Sequence, residues 1–288
     1  MPIYKQYDQE ALDRQYTNRL HVPDFATHID TWESLSRQTE KEYPVVKDIA
    51  YGKLSREQLD IYPSPEPSSK TLVFIHGGYW HKFDKADSQF IAKAFRIYGI
   101  TTVIINYPLA PAVSMDQILL SCREAIHWLY KNISGYNGDP NQIYVAGHSA
   151  GAHLAAMLLA TDPIAIGWKQ YDLPTDVIKG VCVISGVFNL IPIQLSYLNE
   201  VLNMDTVTAI RNSPVQLSPA NGCPLLIAVG GDETDEFVDQ SHELYNCWKE
   251  SIPAEIIQIP GLNHFSIIET VLDTGSKLHQ VMRRLMKI

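Results

Sequence analysis

Cysteine is scarce and scattered. The four, Cys122, Cys182, Cys223 and Cys247, form no CxxC pair. That argues against a disulfide framework or a thiolate-held zinc site, and for free thiols in a reducing compartment. There is no HExxH motif, so neither a metal nor any other cofactor is expected. No apolar run approaches the ~18 residues that a membrane span needs. The opening residues, MPIYKQYDQEALDRQY, lack the apolar stretch of a secretory signal. A cytoplasmic protein with no membrane partner is the expectation. Basic charge is also short: 23 Lys and Arg stand against 32 Asp and Glu, a net charge of −9. An acidic surface repels phosphate backbones, so no nucleic-acid partner is expected. What is present is apolar material. It makes up 45% of 288 residues, enough to bury a large core and to exclude a disordered chain. The 16 Gly and 17 Pro are dispersed, and no internal repeat or linker divides the chain.

The texture changes near residue 44. Before it, residues 8–19 have helical composition, with Leu12 and Tyr16 four apart, and His21 to Lys41 is polar and ambiguous. After it, apolar runs alternate with helical patterns. Strands are predicted at Val45–Ala50, Glu57–Tyr62, Leu72–Ile75, Thr102–Asn106, Ile143–Ala146, Gly180–Ile184, Leu225–Val229 and Glu255–Ile259. Runs such as TLVFI and TTVII suit strands covered on both faces, as in a parallel sheet. Helices are predicted at Lys85–Arg96, Met115–Lys131, Ala150–Ala160, Glu236–Lys249 and Ile267–Met286. Strand–helix alternation at this spacing means βαβ units, hence an α/β fold with a mostly parallel sheet of eight strands and helices on both faces. The first two strands have no helix between them and are expected as an antiparallel hairpin at one edge. One domain over 1–288 is expected, with 1–43 as a helical extension. The stretch 188–219 interrupts the alternation and is expected to be short helices forming a lid or pocket wall.

The strongest chemical signal is Gly147-His148-Ser149-Ala150-Gly151, between a β-branched strand and an Ala/Leu helix. It fits the G-x-S-x-G nucleophile elbow of α/β-hydrolases. Residues two before and two after the serine would collide with the turn, so glycine is needed there. The turn lifts the Ser149 hydroxyl clear of the sheet and aims the Ala150 N–H at the same point. The second signal is His76-Gly77-Gly78-Tyr79-Trp80, directly after TLVFI. Unshielded N–H groups of Gly77, Gly78 and Tyr79 would complete an oxyanion hole with Ala150.

A serine nucleophile needs a base, and the base an orienting acid. Of ten histidines, two lie in the last 45 residues, His264 and His279. His264 follows the last strand and is the expected base. His279 sits in the C-terminal helical pattern and is expected to be a surface or packing residue. His148 flanks the elbow and is expected beside the site. The acid should follow PLLIAVGG, where Asp232, Glu233, Asp235 and Glu236 crowd together. Asp232 and Glu233 are nearest the strand end, and spacing alone leaves both open.

With these residues in hand, the sequence resembles the kynurenine formamidases (arylformamidases), α/β-hydrolases related to hormone-sensitive-lipase-type esterases. The resemblance runs over nearly the whole chain: ALDRQYTNR, AYGKLSREQLDIY, HGGYW with KFDKAD, NYPLAP, GHSAG, SGVFNL, EFVDQS and NHF. It implies Glu233 as the acid, three residues before EFVDQS. It implies hydrolysis of N-formyl-L-kynurenine to L-kynurenine and formate, with a carboxylesterase for short acyl esters as the alternative and a non-catalytic receptor as a remote third. An aromatic pocket is expected from Tyr79, Trp80, Phe188 and Tyr197. The sequence departs from the family pattern at Pro108 and Asn189, both expected near the pocket wall. The expected partner is a small-molecule substrate, and a homodimer is left open.

Overall fold

The computed structural model of the chain describes residues 1–161, 171–219 and 222–288. Eight strands form one sheet: β1 (Val46–Ala50), β2 (Gln58–Tyr62), β3 (Ser69–Ile75), β4 (Thr101–Ile105), β5 (Gly138–His148), β6 (Ile178–Ile184), β7 (Leu225–Gly230) and β8 (Ala254–Ile259). Their order is β1-β2-β4-β3-β5-β6-β7-β8. β1 pairs antiparallel with β2, and β2 antiparallel with β4. From β4 to β8 every pairing is parallel. All eight predicted strands are therefore present, including the antiparallel edge.

The β-branched runs explain this sheet. Val73 and Ile75 face one core, while Leu72 and Phe74 face a second core across the sheet. Both faces are buried, so the strands read as unbroken apolar runs. The first face is covered by α4 (Met115–Asn132), α5 (Ala150–Leu159) and α9 (Asp235–Trp248). In α4 the buried residues include Ile118, Cys122, Ala125 and Leu129, a stripe at helical spacing, and Ser114 caps its start.

Helix α1 (Gln9–Tyr16) and helix α2 (Phe25–Glu42) precede the sheet. The ambiguous polar stretch is thus an 18-residue helix. Its buried Trp32, Ser36 and Thr39 form a narrow face, and Ser36 Oγ accepts the Phe90 N–H, so two of the three buried positions are polar and mask the pattern. The predicted helix at 85–96 is a 3₁₀ turn (Lys85–Ser88) followed by α3 (Phe90–Arg96). The segment 188–219 carries α6 (Ile191–Leu195), α7 (Asn199–Leu202) and α8 (Thr206–Arg211). The single C-terminal helix expected over 267–286 is corrected: α10 (Ser266–Glu269) and a 3₁₀ turn are separated from α11 (Lys277–Met286). Asp-Thr-Gly-Ser at 273–276 breaks it, and Ser276 caps the second helix by accepting the His279 N–H. His279 is a packing residue, buried, stacked on Phe95 and bonded to Val271 O and Tyr98 Oη.

Candidate active site

The parallel strands deliver their carboxyl ends to one edge, and the site collects there. β5 ends at His148, and Ser149 turns into α5 with φ 58° and ψ −121°. Few L-residues tolerate that backbone. Sterics explain both motif glycines. A Cβ on Gly147 would lie 2.2 Å from Gly151 O, and one on Gly151 would lie 2.0 Å from Ile75 O. The Ser149 N–H donates to Ile184 O at 2.8 Å, which ties the elbow to β6.

Three segments distant in sequence meet at this turn. Ser149 Oγ and His264 Nε2 are 3.0 Å apart, and His264 Nδ1 lies 2.7 Å from Glu233 Oε2. Glu233 follows β7, and its side chain is fully buried. Its Oε1 accepts the Gly230 N–H at 2.7 Å and the Ser185 hydroxyl. Gly230 is required there, since a Cβ would lie 2.2 Å from Leu262 O. Asp232 points elsewhere and accepts the Gly261 N–H at the surface. Between the two open acids, the carboxylate that meets the imidazole is Glu233. The His264 ring is wedged between Phe237, at 4.6 Å, and His148, at 4.8 Å. His148 bonds the His264 carbonyl through Nε2 at 2.8 Å. Burial, then the neighbouring His264, holds the His148 imidazole well below its usual range, so it stays neutral and adds no competing charge beside His264.

The glycine loop lies against the elbow. A Cβ on Gly77 would sit 3.0 Å from Ser149 Cβ. Gly78 has φ 100°, and a Cβ there would lie 2.4 Å from Lys82 O. The Tyr107 hydroxyl donates to the carbonyls of His76 and Gly77, at 2.9 and 3.1 Å. In a trans peptide the N–H points opposite its carbonyl, so the Gly77 and Gly78 N–H groups face away from Tyr107. Beneath them Asn106 Oδ1 accepts from Lys85 N–H and Arg56, and Asn106 Nδ2 donates to Asp84. His76 Nε2 meets the same Asn106 oxygen at 3.1 Å, and burial pushes the His76 imidazole down to about 4. The sequence reading missed Tyr107, Asn106 and Ser185. A usable signal was there: each sits just past the end of a strand that neighbours a site strand.

A cavity of about 370 Å³ opens beside Ser149. Its wall includes Gly77, Gly78, Tyr79, His148, Ser149, Tyr197 and His264. Two expected wall residues are corrected. Trp80 and Phe188 are fully buried in the core and do not line the cavity. Trp80 lies on a tight loop where Tyr79, Trp80 and Phe83 all have positive φ, and its ring packs edge-on against His153 instead. Phe188 fills the space beside Gly186. Pro108 and Asn189 also lie off the lining. The missing aromatic surface comes from Phe25 and Trp32 of α2, with Phe83, Phe90 and Phe265. Residues before the sheet close the rest. Tyr16 O accepts the Tyr79 hydroxyl at 2.8 Å and the Tyr197 hydroxyl at 3.4 Å. The Tyr16 hydroxyl donates to the buried Glu236, which Lys5 also engages at 2.9 Å. Among the described residues no three His, Cys, Asp or Glu side chains are grouped to hold a metal ion, and no helix is long and apolar enough to cross a membrane.

Chemically, such a hydroxyl–imidazole–carboxylate line beside free amides can deprotonate an alcohol and hold an oxyanion. The chain is similar to known proteins. A family model described as BD-FAE matches residues 59–247. The kynurenine formamidase of Salmo salar is 31% identical over 99% of both chains, as is that of Danio rerio. The crystal structure of a putative thioesterase from Silicibacter sp. TM1040 superposes with a TM-score of 0.81 and 28% identity, covering 94% of this chain and 98% of that one. The fold is that of the α/β-hydrolases, and the chain belongs to the kynurenine formamidase family.

Proposed function

We propose that the protein hydrolyses N-formyl-L-kynurenine to L-kynurenine and formate, with Ser149, His264 and Glu233 as its catalytic triad. The observation that carries this reading is the continuous Ser149–His264–Glu233 hydrogen-bonded line, at 3.0 and 2.7 Å, in a chain alike over its full length to kynurenine formamidases. His264 Nε2 takes the proton as Ser149 Oγ attacks the formyl carbon. The oxyanion receives N–H groups from Ala150, at the unsatisfied start of α5, and from the Gly77-Gly78-Tyr79 loop. His264 then protonates the arylamine nitrogen, which leaves as kynurenine. Water hydrolyses the formyl-serine by the same proton route and releases formate. Glu233 holds the tautomer that presents Nε2 to the serine and stabilises the imidazolium that forms.

Ser149→Ala is expected to lower turnover of N-formyl-L-kynurenine by about 10³-fold or more. Release of the arylamine, read by absorbance, and of formate, read by a coupled assay, checks it. A variant that keeps the parental rate ends the reading. The likeness to the Silicibacter thioesterase favours a second reading, hydrolysis of short acyl esters or thioesters. Both readings use the same triad. Comparison of kcat/KM on formylkynurenine with that on p-nitrophenyl acetate and an acetyl thioester separates them.

A further inference from the structure

The end of β6 carries a backbone that serine adopts only at a cost. Ser185 follows Ile184 directly and has φ 52°, in the left-handed region where glycine sits without strain. The residue is fully buried, and its N–H donates to Ala228 O of β7 at 2.8 Å. Its hydroxyl donates to Glu233 Oε1, because an ionised carboxylate only accepts. A strained position that glycine would fill freely thus holds a hydroxyl aimed at the acid of the triad.

Glu233 has reason to need that hydroxyl. It lies on the turn after β7, outside any helix or strand, and its side chain has one more rotatable bond than that of an aspartate. The Gly230 N–H, at 2.7 Å from Oε1, is a single pivot about which the carboxyl group can still turn. A second donor to the same oxygen, from the end of the neighbouring strand, fixes the carboxyl plane. Oε2 is then left for His264 Nδ1 at 2.7 Å. The residue before Ser185 holds the nucleophile in a similar way, since Ile184 O accepts the Ser149 N–H at 2.8 Å. The dipeptide Ile184-Ser185 therefore grips the serine through a carbonyl and the acid through a hydroxyl, and the base hangs between them.

We infer that Ser185 is a positioning residue of this site, whose hydroxyl holds the Glu233 carboxylate in the orientation that directs His264 Nε2 at Ser149. The inference rests on the proposed triad and adds to it a residue that acts through Glu233 and never meets the substrate. As His264 takes the proton, positive charge grows on the imidazole and the carboxylate must already be in place to receive it. A carboxylate free to swing would have to be reordered in every turnover. The loss falls on kcat, because neither Ser185 nor Glu233 lines the cavity that holds substrate.

The test uses two variants that both lack the hydroxyl and differ in backbone strain. Ser185→Ala keeps the strained φ, and Ser185→Gly relieves it, so denaturant midpoints should rank the glycine variant above the alanine variant. In both, kcat on N-formyl-L-kynurenine is expected to fall about tenfold or more, with KM within about twofold of the parent. A role confined to folding predicts instead that activity follows stability. A Ser185→Gly variant whose kcat stays within about threefold of the parent overturns the inference. A double-mutant cycle with Glu233→Ala adds a second reading, taken as the rate at which a fluorophosphonate labels Ser149. Glu233→Ala alone should slow labelling about 10³-fold or more, and removing the Ser185 hydroxyl as well should cost less than about threefold further, because no carboxylate is left to hold. Losses that multiply overturn the inference. If Glu233→Ala does not fold, the glycine and alanine variants decide alone. Failure of the proposed function looks different: Ser149→Ala then keeps its turnover, whatever happens at 185. If the parent cleaves p-nitrophenyl acetate and spares formylkynurenine, the same variants are read on that ester with the same thresholds.

Discussion

The site has two halves that are held in place by different means. The reacting half, Ser149, His264, Glu233 and the Gly77-Gly78 loop, is fixed by backbone. Gly78, Gly147, Gly151 and Gly230 sit where a Cβ would strike a carbonyl at 2.0–2.4 Å. The wall half is fixed by side chains that reach across the chain: Lys5 to Glu236, Tyr16 to Glu236, Trp32 to Glu269, Tyr197 N–H to Asp13. Backbone constraints tolerate almost no substitution. Side-chain ties can be exchanged one at a time. In the proposed reaction, the half that does chemistry is therefore rigid by steric necessity, while the half around the leaving group can be retuned.

The harshest way to break that contrast is Gly151→Ala. Its methyl group meets Ile75 O, a strand carbonyl that cannot yield. Activity is expected to fall about 10³-fold or more, because a 1 Å misplacement at the nucleophile already costs ~10². If the variant keeps even a tenth of the parental kcat, the backbone account is wrong.

Acid probes the reacting half next. Burial is the chief reason that the His76 and His153 imidazoles are held at about 4, and His148 shifts the same way. The unfolded chain titrates these groups near 6.5. Between the two values the unfolded chain binds more protons, so stability rises with pH across that window. The stability is full above about pH 6.5 and declines toward pH 4, by about 3 kcal/mol for each of His76 and His153. Denaturant midpoints at pH 7, 5.5 and 4.5 check this, and a flat series contradicts it.

Glu236→Leu tests the wall. It removes the buried acceptor shared by Lys5 and Tyr16 while Gln240 keeps its bond to the Tyr16 hydroxyl. A loss of about 2–3 kcal/mol is expected. Limited proteolysis should then cut first within residues 1–20, whereas fluorophosphonate should still label Ser149. A variant that resists proteolysis like the parent would show that the wall does not depend on this tie. Ser114→Ala gives the smallest effect. It uncaps α4, which lies under the sheet away from the cavity, and should cost about 1 kcal/mol in unfolding free energy with kcat unchanged.

The same contrast explains how much of the molecule was legible in sequence. β-Branched runs buried on both faces name their strands, and a strained elbow must carry glycines at fixed spacing, so the sheet, Ser149 and His264 could be read directly. Glu233 and Asp232 are adjacent and chemically alike. Only the direction of each side chain separates them, and the resemblance supplied it. Ties between distant residues leave no local pattern. Nothing near Phe25 or Trp32 in sequence says that they face Phe265, so the aromatic wall was sought beside the glycine motif, at Trp80, and in the insertion, at Phe188. Helix α2 was unreadable for a related reason: Ser36 and Thr39 are buried on its inner face, so polarity does not separate inside from outside.

One carbonyl deserves a practical reading. Tyr16 O anchors the phenols of both Tyr79 and Tyr197, and the turn that follows it carries Arg19. Trimming the chain before residue 21 would spare every reacting group and still strip the floor from the substrate chamber. Conversely, transplanting that opening stretch from one relative into another offers a route to new leaving-group preferences in which no strand needs to be redesigned.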